Sequence, residues 1–211
     1  MPRRLPIYLV LDTSGSMLGE PITAMENGVD NLVSSLRQDP HALESAHLSV
    51  ICFDNEATQV VPLTDLNDFQ TPHFAARGLT SLGKALKLLA DRLDNEVTKS
   101  TTTTKGDWKP LVFIFTDGAP NDAWEEGLEE FKKRKVGIVV ACAAGPDADD
   151  SILQQITPNV VRLETMDSAG IRAFFRWVSA SISTGSQRVD AGQETTGSDL
   201  PTIPEELHPL F

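Results

Sequence analysis

Apolar positions along the chain alternate between two rhythms. Apolar runs rich in β-branched or aromatic residues occupy 5–11, 48–53, 111–115 and 136–144, with a weaker run at 160–163. Runs of that kind predict strands covered on both faces, as in a parallel sheet. Between them the apolar positions spread to spacings of three and four. Ile22, Met25, Val29, Leu32, Val33 and Leu36 share one stripe, and Leu82, Ala85, Leu86, Leu89 and Leu93 form a second. Ile171, Phe174, Phe175, Val178 and Ile182 form a third. Such stripes predict helices that pack by one side. Strand and helix in alternation define an α/β fold: a doubly wound, mostly parallel sheet with right-handed crossovers and helices on both faces.

The punctuation agrees. Pro21 suits the first turn of a helix, where its missing N–H costs nothing, and "DAWE" at 122–125 has the spacing of a capping box for the helix that follows. "FDNEATQVV" reads as a hairpin with an antiparallel strand over 57–61, ended by Pro62. The stretch "TKSTTTTKGD" at 98–107 lacks apolar periodicity and is expected to be a mobile surface loop. From Gly185 onward Gly, Thr, Pro and acids dominate, which predicts a flexible acidic tail over 185–211 after a single domain over 1–184. The end of that tail, "LPTIPEELHPLF", carries enough apolar residues to dock in a groove or fold back on its own domain. Glu205 and Glu206 could also reach the site of a neighbouring copy, giving self-association.

Composition narrows the function. A chain of 211 residues with a formal net charge of -12 repels a phosphate backbone, and no basic stripe interleaved with aromatics offsets it, so nucleic acid is not an expected partner. The run "FKKRK" at 131–135 sits where cations complement a helix C-terminus. The amino-terminal stretch fits neither a secretion signal nor a membrane span, so a cytoplasmic protein with no membrane partner is expected. Cys52 and Cys142 each lie inside an apolar run and read as buried thiols. There is no P-loop or dinucleotide fingerprint, and His41, His47, His73 and His208 stand beside no candidate nucleophile.

Three short stretches carry chemistry: "DTSGS" after the first strand, "GLTSLG" before the helix near Leu82, and "FTDG" after the strand at 111–115. Each alone is ordinary turn or cap chemistry. In an open α/β sheet, however, ligand sites gather beyond the carboxyl ends of strands where strand order reverses. If the first strand neighbours the strand at 111–115, Asp12 and Asp117 face one crevice together with Ser14, Ser16 and Thr80. Two carboxylates and three hydroxyls form a hard oxygen donor set. It suits Mg²⁺, with Mn²⁺ or Ca²⁺ as substitutes, and not a zinc-type site.

These motifs resemble those of the von Willebrand factor A domains. "DTSGS" looks like that family's D-x-S-x-S, Thr80 like its isolated threonine, and Asp117 like its second aspartate, over about residues 4–184. The resemblance implies strand order 3-2-1-4-5-6 in a six-stranded Rossmann-like sheet, with the hairpin strand antiparallel at the edge. It also implies a metal-ion-dependent adhesion site (MIDAS). There Ser14 and Ser16 bind the metal directly, Thr80 does so in the ligand-bound state, and Asp12 and Asp117 act largely through water. A narrower match joins "MLGEPITAMENG", "PLTDL" and "DWKPLVFIFTDGAPNDAW" to the bacterial TerY-like proteins of tellurite-resistance and stress operons. Asn121 stands where that family usually has threonine. This resemblance implies the company of a protein kinase and a PP2C-type phosphatase.

The expectation is therefore a binding module and not an enzyme: an adaptor that captures an Asp or Glu of a protein partner through the metal. The alternative is a Mg²⁺-dependent phosphohydrolase, although Ser14 stands where an aspartate-nucleophile enzyme of similar architecture has its second acid. Met17, Leu18 and Glu20 on one bank, and Ala119, Pro120 and Asn121 on the other, are the expected partner rim, with Trp124 either a core anchor under the loop or a further rim contact. Thr195, Thr196 and Ser198 are candidate phosphoacceptors in the tail.

Overall fold

A computed structural model describes residues 3–210. In chain order the elements are β1 (Leu5–Asp12), α1 (Glu20–Leu36), α2 (Pro40–Ser45), β2 (Ala46–Phe53), β3 (Ala57–Asp65), α3 (Leu82–Glu96) and β4 (Leu111–Thr116). Then come α4 (Trp124–Lys132), β5 (Ile138–Ala144), α5 (Asp150–Ile156), β6 (Val160–Leu163), α6 (Ser168–Asp190) and β7 (His208–Pro209). The strands form one seven-stranded sheet of order β3-β2-β1-β4-β5-β6-β7. It is parallel except at its edges, where β3 runs against β2 and β7 against β6. The first six strands keep the order 3-2-1-4-5-6, and β7 is an addition at the far edge.

Every residue of β1, β4 and β5 is buried, because helices cover both faces. Ile7, Leu9 and Leu11 point to the side covered by α1 and α6, while Tyr8 and Val10 pack on the side of α3, α4 and α5. On the first side Phe115, Phe174 and Phe175 meet as an aromatic trio with ring centroids 5.4 to 6.3 Å apart. On the second, α3 and α4 approach backbone to backbone. A Cβ on Gly127 would stand 2.2 Å from the Gly83 carbonyl oxygen, so neither helix tolerates a side chain there.

Several expectations are corrected. Strand β3 does not stop at Pro62 but runs to Asp65. Register shifts around Val50 of β2 absorb the irregularity, and an edge strand tolerates the missing donor of a proline. Asp122 does not cap α4. Its two carboxylate oxygens instead accept Gly83 N (3.0 Å) and Lys84 N (2.9 Å), capping α3, whose own N-cap Ser81 makes no side-chain bond. Helices α2 and α5 were not expected. Each is short, and each starts on an aspartate, Asp39 and Asp149, that accepts backbone N–H groups.

The boundary expected at 184 falls inside α6, which continues to Asp190 with Val189 in the core. The segment beyond does not stand apart from the domain. Trp177 Nε1 donates to Pro201 O at 3.1 Å, Leu207 is buried, and β7 pairs with β6 through Val161–Pro209 and Arg162–His208. Its few apolar residues suffice as anchors because the edge of β6 and the outer side of α6 are there to receive them. The 98–107 loop is likewise tied down, by Asp107 bonded to both Arg4 and Thr98 N. Among the described residues no helix is long and apolar enough to cross a membrane.

For the site, the decisive feature is that β1 lies between β2 and β4. Successive strands are added on one side of β1 and then on the other, and the carboxyl ends of β1 and β4 flank the crevice this leaves. Leu11 pairs with Phe115, which brings Asp12 level with Thr116.

Candidate metal centre

Asp12 closes β1 and is fully buried. Both its oxygens are committed within the protein: Oδ1 accepts Ser14 N at 2.8 Å, and Oδ2 accepts the Thr116 hydroxyl at 2.6 Å. A single 3-10 turn over Gly15–Met17 then sets Ser14 and Ser16 side by side, their hydroxyl oxygens 3.0 Å apart. Asp117, one residue beyond β4, closes a triangle. Ser16 Oγ donates to its Oδ1 at 2.8 Å, and Ser14 Oγ lies 3.5 Å from the same atom.

Two further loops brace this turn. Gly15 N donates to Gly78 O at 3.0 Å. Gly78 has φ +70, and a Cβ there would meet the Asn55 side chain at 2.7 Å, so glycine is required on both counts. Thr80 is held by a reciprocal pair of bonds with Asn121. Its hydroxyl faces the Asp117–Gly118 turn, where a Cβ on Gly118 would stand 3.3 Å from Thr80 Oγ1. The structure thus brings together all five residues expected from sequence: Asp12, Ser14, Ser16 and Asp117 by direct hydrogen bonds, and Thr80 alongside.

The donor set fits a divalent ion. Oxygens on neighbouring vertices of an octahedral Mg²⁺ shell, with bonds of about 2.1 Å, lie about 3 Å apart. The Ser14, Ser16 and Asp117 oxygens, 2.8 to 3.5 Å apart, have the size of one face of such a shell. Among the described residues no three His, Cys, Asp or Glu side chains gather as a metal site, so hydroxyls are needed to complete any oxygen shell here. Burial pushes Asp12 up to about 6, against the pull of its bonds to Ser14 and Thr116, with Asp117 adding a small repulsion. Burial raises Asp117 too, and Asp147 on the loop after β5 adds to it. Burial disfavours the ionised form of both carboxylates, and a cation beside them and the three hydroxyls would favour it.

The rim differs from expectation at Met17 and Glu20. Met17 is 0% exposed and belongs to the core under the loop, so it offers nothing to a partner. Glu20 is exposed, but its carboxylate accepts Ser168 N and Oγ at 3.0 and 2.7 Å, joining the start of α1 to the start of α6. Trp124 is half-buried against the core while Ala119 and Asn121 are exposed and Pro120 is half-buried. Leu18, 73% exposed, is the large apolar side chain on the first bank. Sequence reasoning missed Leu79, 58% exposed beside Thr80, as well as Thr116 and Asp147. The position of Thr116 at a strand end before Asp117 was the available signal. In the last segment Thr195 is buried and is not an accessible phosphoacceptor, whereas Thr196 and Ser198 are exposed and bonded to each other.

A doubly wound sheet with two carboxylates and three hydroxyls at its switch point defines a class of α/β binding domains. Residues 7–174 match the von Willebrand factor type A domain, and the chain belongs to that family. Similar solved structures include the von Willebrand factor type A protein from Catenulispora acidiphila, at 18% identity and TM-score 0.65, covering 86% of this chain and 43% of that one. Proximal thread matrix protein 1 from the mussel byssus, with a zinc-occupied MIDAS motif, is 18% identical with TM-score 0.61, covering 86% of this chain and 48% of that one. The pilus adhesin SpaC from Lactobacillus rhamnosus GG is 16% identical with TM-score 0.67, covering 86% of this chain and 31% of that one. The chain spans less than half the length of each, and at these identities the likeness is one of fold. A comparison with curated proteins finds no match. Domains of this family often mediate metal-dependent protein interactions, and their MIDAS motifs bind divalent metals.

Proposed function

We propose that this domain is a Mg²⁺-dependent protein-binding module that captures an aspartate or glutamate of its partner. The triangle formed by the Ser14, Ser16 and Asp117 oxygens at the switch point carries this reading. Ser14 and Ser16 hold the cation, Asp117 and Thr80 stand ready on the opposite bank, and Asp12 orients Ser14 through its backbone N–H. When bound, the cation supplies a positive centre to which a partner carboxylate binds strongly in a partly dry rim. Leu18, Ala119, Pro120 and Asn121 surround that position and select among partners. The zinc-bearing MIDAS of the mussel protein is a reason to test zinc beside Mg²⁺, Mn²⁺ and Ca²⁺.

Phosphohydrolase chemistry is the weaker reading. A nucleophilic aspartate must reach its substrate, and Asp12 is fully buried with Ser14 N and Thr116 Oγ1 bonded to its two oxygens. The finer reading is an adaptor of a tellurite-resistance or stress system, working in the cytoplasm with a Ser/Thr kinase and a PP2C-type phosphatase and phosphorylated at Thr196 or Ser198. It rests on the TerY-like stretches of sequence. Pull-down of the proteins encoded beside the gene, with Mg²⁺ and with EDTA, tests both levels. A partner retained only with Mg²⁺ and lost with Ser14→Ala supports the module, and the partner's identity tests the adaptor. Retention of every partner under EDTA and by Ser14→Ala alike would reject the module.

A further inference from the structure

A second concave site opens at the other end of the sheet, beyond the amino ends of β1 and β4. Strand β1 separates it from the metal centre, a span of roughly 25 Å for eight residues. Its volume is about 570 Å³, within the range of small-molecule sites, about 300 to 1,000 Å³. Three stretches that the metal centre leaves unused converge on it: the arginine before β1, the 98–107 loop with Trp108 and Lys109 after it, and the FKKRK run at the end of α4. They contribute Arg3, Lys99, Lys109, Lys133, Arg134 and Lys135 to the lining.

Three acids of the lining face these six cations, and Glu130 behind them pairs with Lys133 at 2.7 Å and Arg134 at 3.1 Å, so the positive charge left over rests on Arg3 and Lys135. Asp107 is already neutralised from behind by Arg4, which binds both its oxygens at 3.0 and 2.6 Å. Asp94 lies between Arg134 at 2.7 Å and Lys99 at 3.4 Å, and Glu194 pairs with Lys109. Arg3 and Lys135 have no carboxylate within ion-pair distance among the described residues. Arg3 is nevertheless fixed: its guanidinium lies 3.6 Å over the Trp108 ring and donates to Gly106 O and Asp107 O. A rigid guanidinium, an unpaired lysine and the hydroxyls of Thr98 and Ser100 in one concave wall are the donors that phosphate oxygens require.

We infer that this cavity binds a small phosphate-bearing polyanion of nucleotide size, independently of the metal centre. A concave wall with a local excess of positive charge focuses the field on such a ligand despite the negative charge of the whole chain.

Calorimetric titration of the full chain with tripolyphosphate and with ATP, in EDTA and at low salt, tests it. The expected result is one site per chain for at least one of the two, present in EDTA and weakened roughly tenfold or more by Lys135→Glu and by Arg3→Glu. Tighter binding of ATP would mean that the base is also read, and equal binding that the phosphates alone are read. No binding of either anion in EDTA, or binding indifferent to both charge reversals in folded protein, would overturn the inference.

Discussion

Asn121 and Thr80 exchange two hydrogen bonds of 2.9 Å: the Thr80 N–H donates to Asn121 Oδ1, and the Asn121 N–H donates to Thr80 O. The loop after β4 and the approach to α3 are thereby locked together, and the Thr80 hydroxyl takes its place beside Asp117. Asn121→Ala leaves a part-buried N–H without an acceptor, a loss of about 1 to 2 kcal/mol. Mg²⁺ affinity, read by calorimetry, is expected to fall several-fold while the fold persists. Unchanged affinity would show that Thr80 is positioned by other means.

Asp122, next along the same loop, caps α3 from outside that helix. Asp122→Ala is expected to lower stability in urea by about 1 kcal/mol, while Asp122→Asn retains part of it. If the two variants matched the wild type, the interhelix cap would carry no weight.

Asp12 sets the pH dependence. Its folded-state value, pushed up to about 6 by burial, lies above the ordinary 3.8. The contribution of the protonated form to metal-free stability is full below pH 4 and is lost as pH rises through 6, a loss of about 3 kcal/mol at most. A bound cation offsets that loss by favouring the carboxylate. The Mg²⁺-induced rise in Tm is therefore expected to be larger at pH 7.5 than at pH 5, and proton release should accompany metal binding at pH 6. An equal rise at both pH values would contradict the raised value.

The parallel core was legible in the sequence because residues covered on both faces leave no polar interruptions: β1, β4 and β5 read directly as apolar runs. The crevice proposed to hold a metal was legible for a related reason. Polar residues at the end of a buried strand need a purpose, and Asp12, Ser14, Ser16, Thr80 and Asp117 all arrive in one crevice. Tertiary context decided the rest. Asp122 has capping-box spacing for α4, but the start of α3 lies nearer to its carboxylate. Met17 looks like a rim residue until the 3-10 turn directs it into the core. Strand β7 consists of two residues whose conformation depends on β6 and could not be read from their own pattern.

Leu207 measures how firmly the last segment is attached. It is 2% exposed and packs into the core on the α6 side of the sheet. Leu207→Ala is expected to cost about 2 to 3 kcal/mol and to speed hydrogen exchange along 200–210, as read by mass spectrometry. A change below about 0.5 kcal/mol would restore the expectation of a loose tail.

The central claim is that distant oxygens of this chain share one divalent ion. Crystals grown with Mn²⁺ and measured for anomalous scattering test it most directly. A single peak bonded to Ser14 Oγ and Ser16 Oγ at about 2.2 Å, absent from Ser14→Ala crystals, is expected. A peak elsewhere, or none beside these hydroxyls at saturating Mn²⁺, would contradict it.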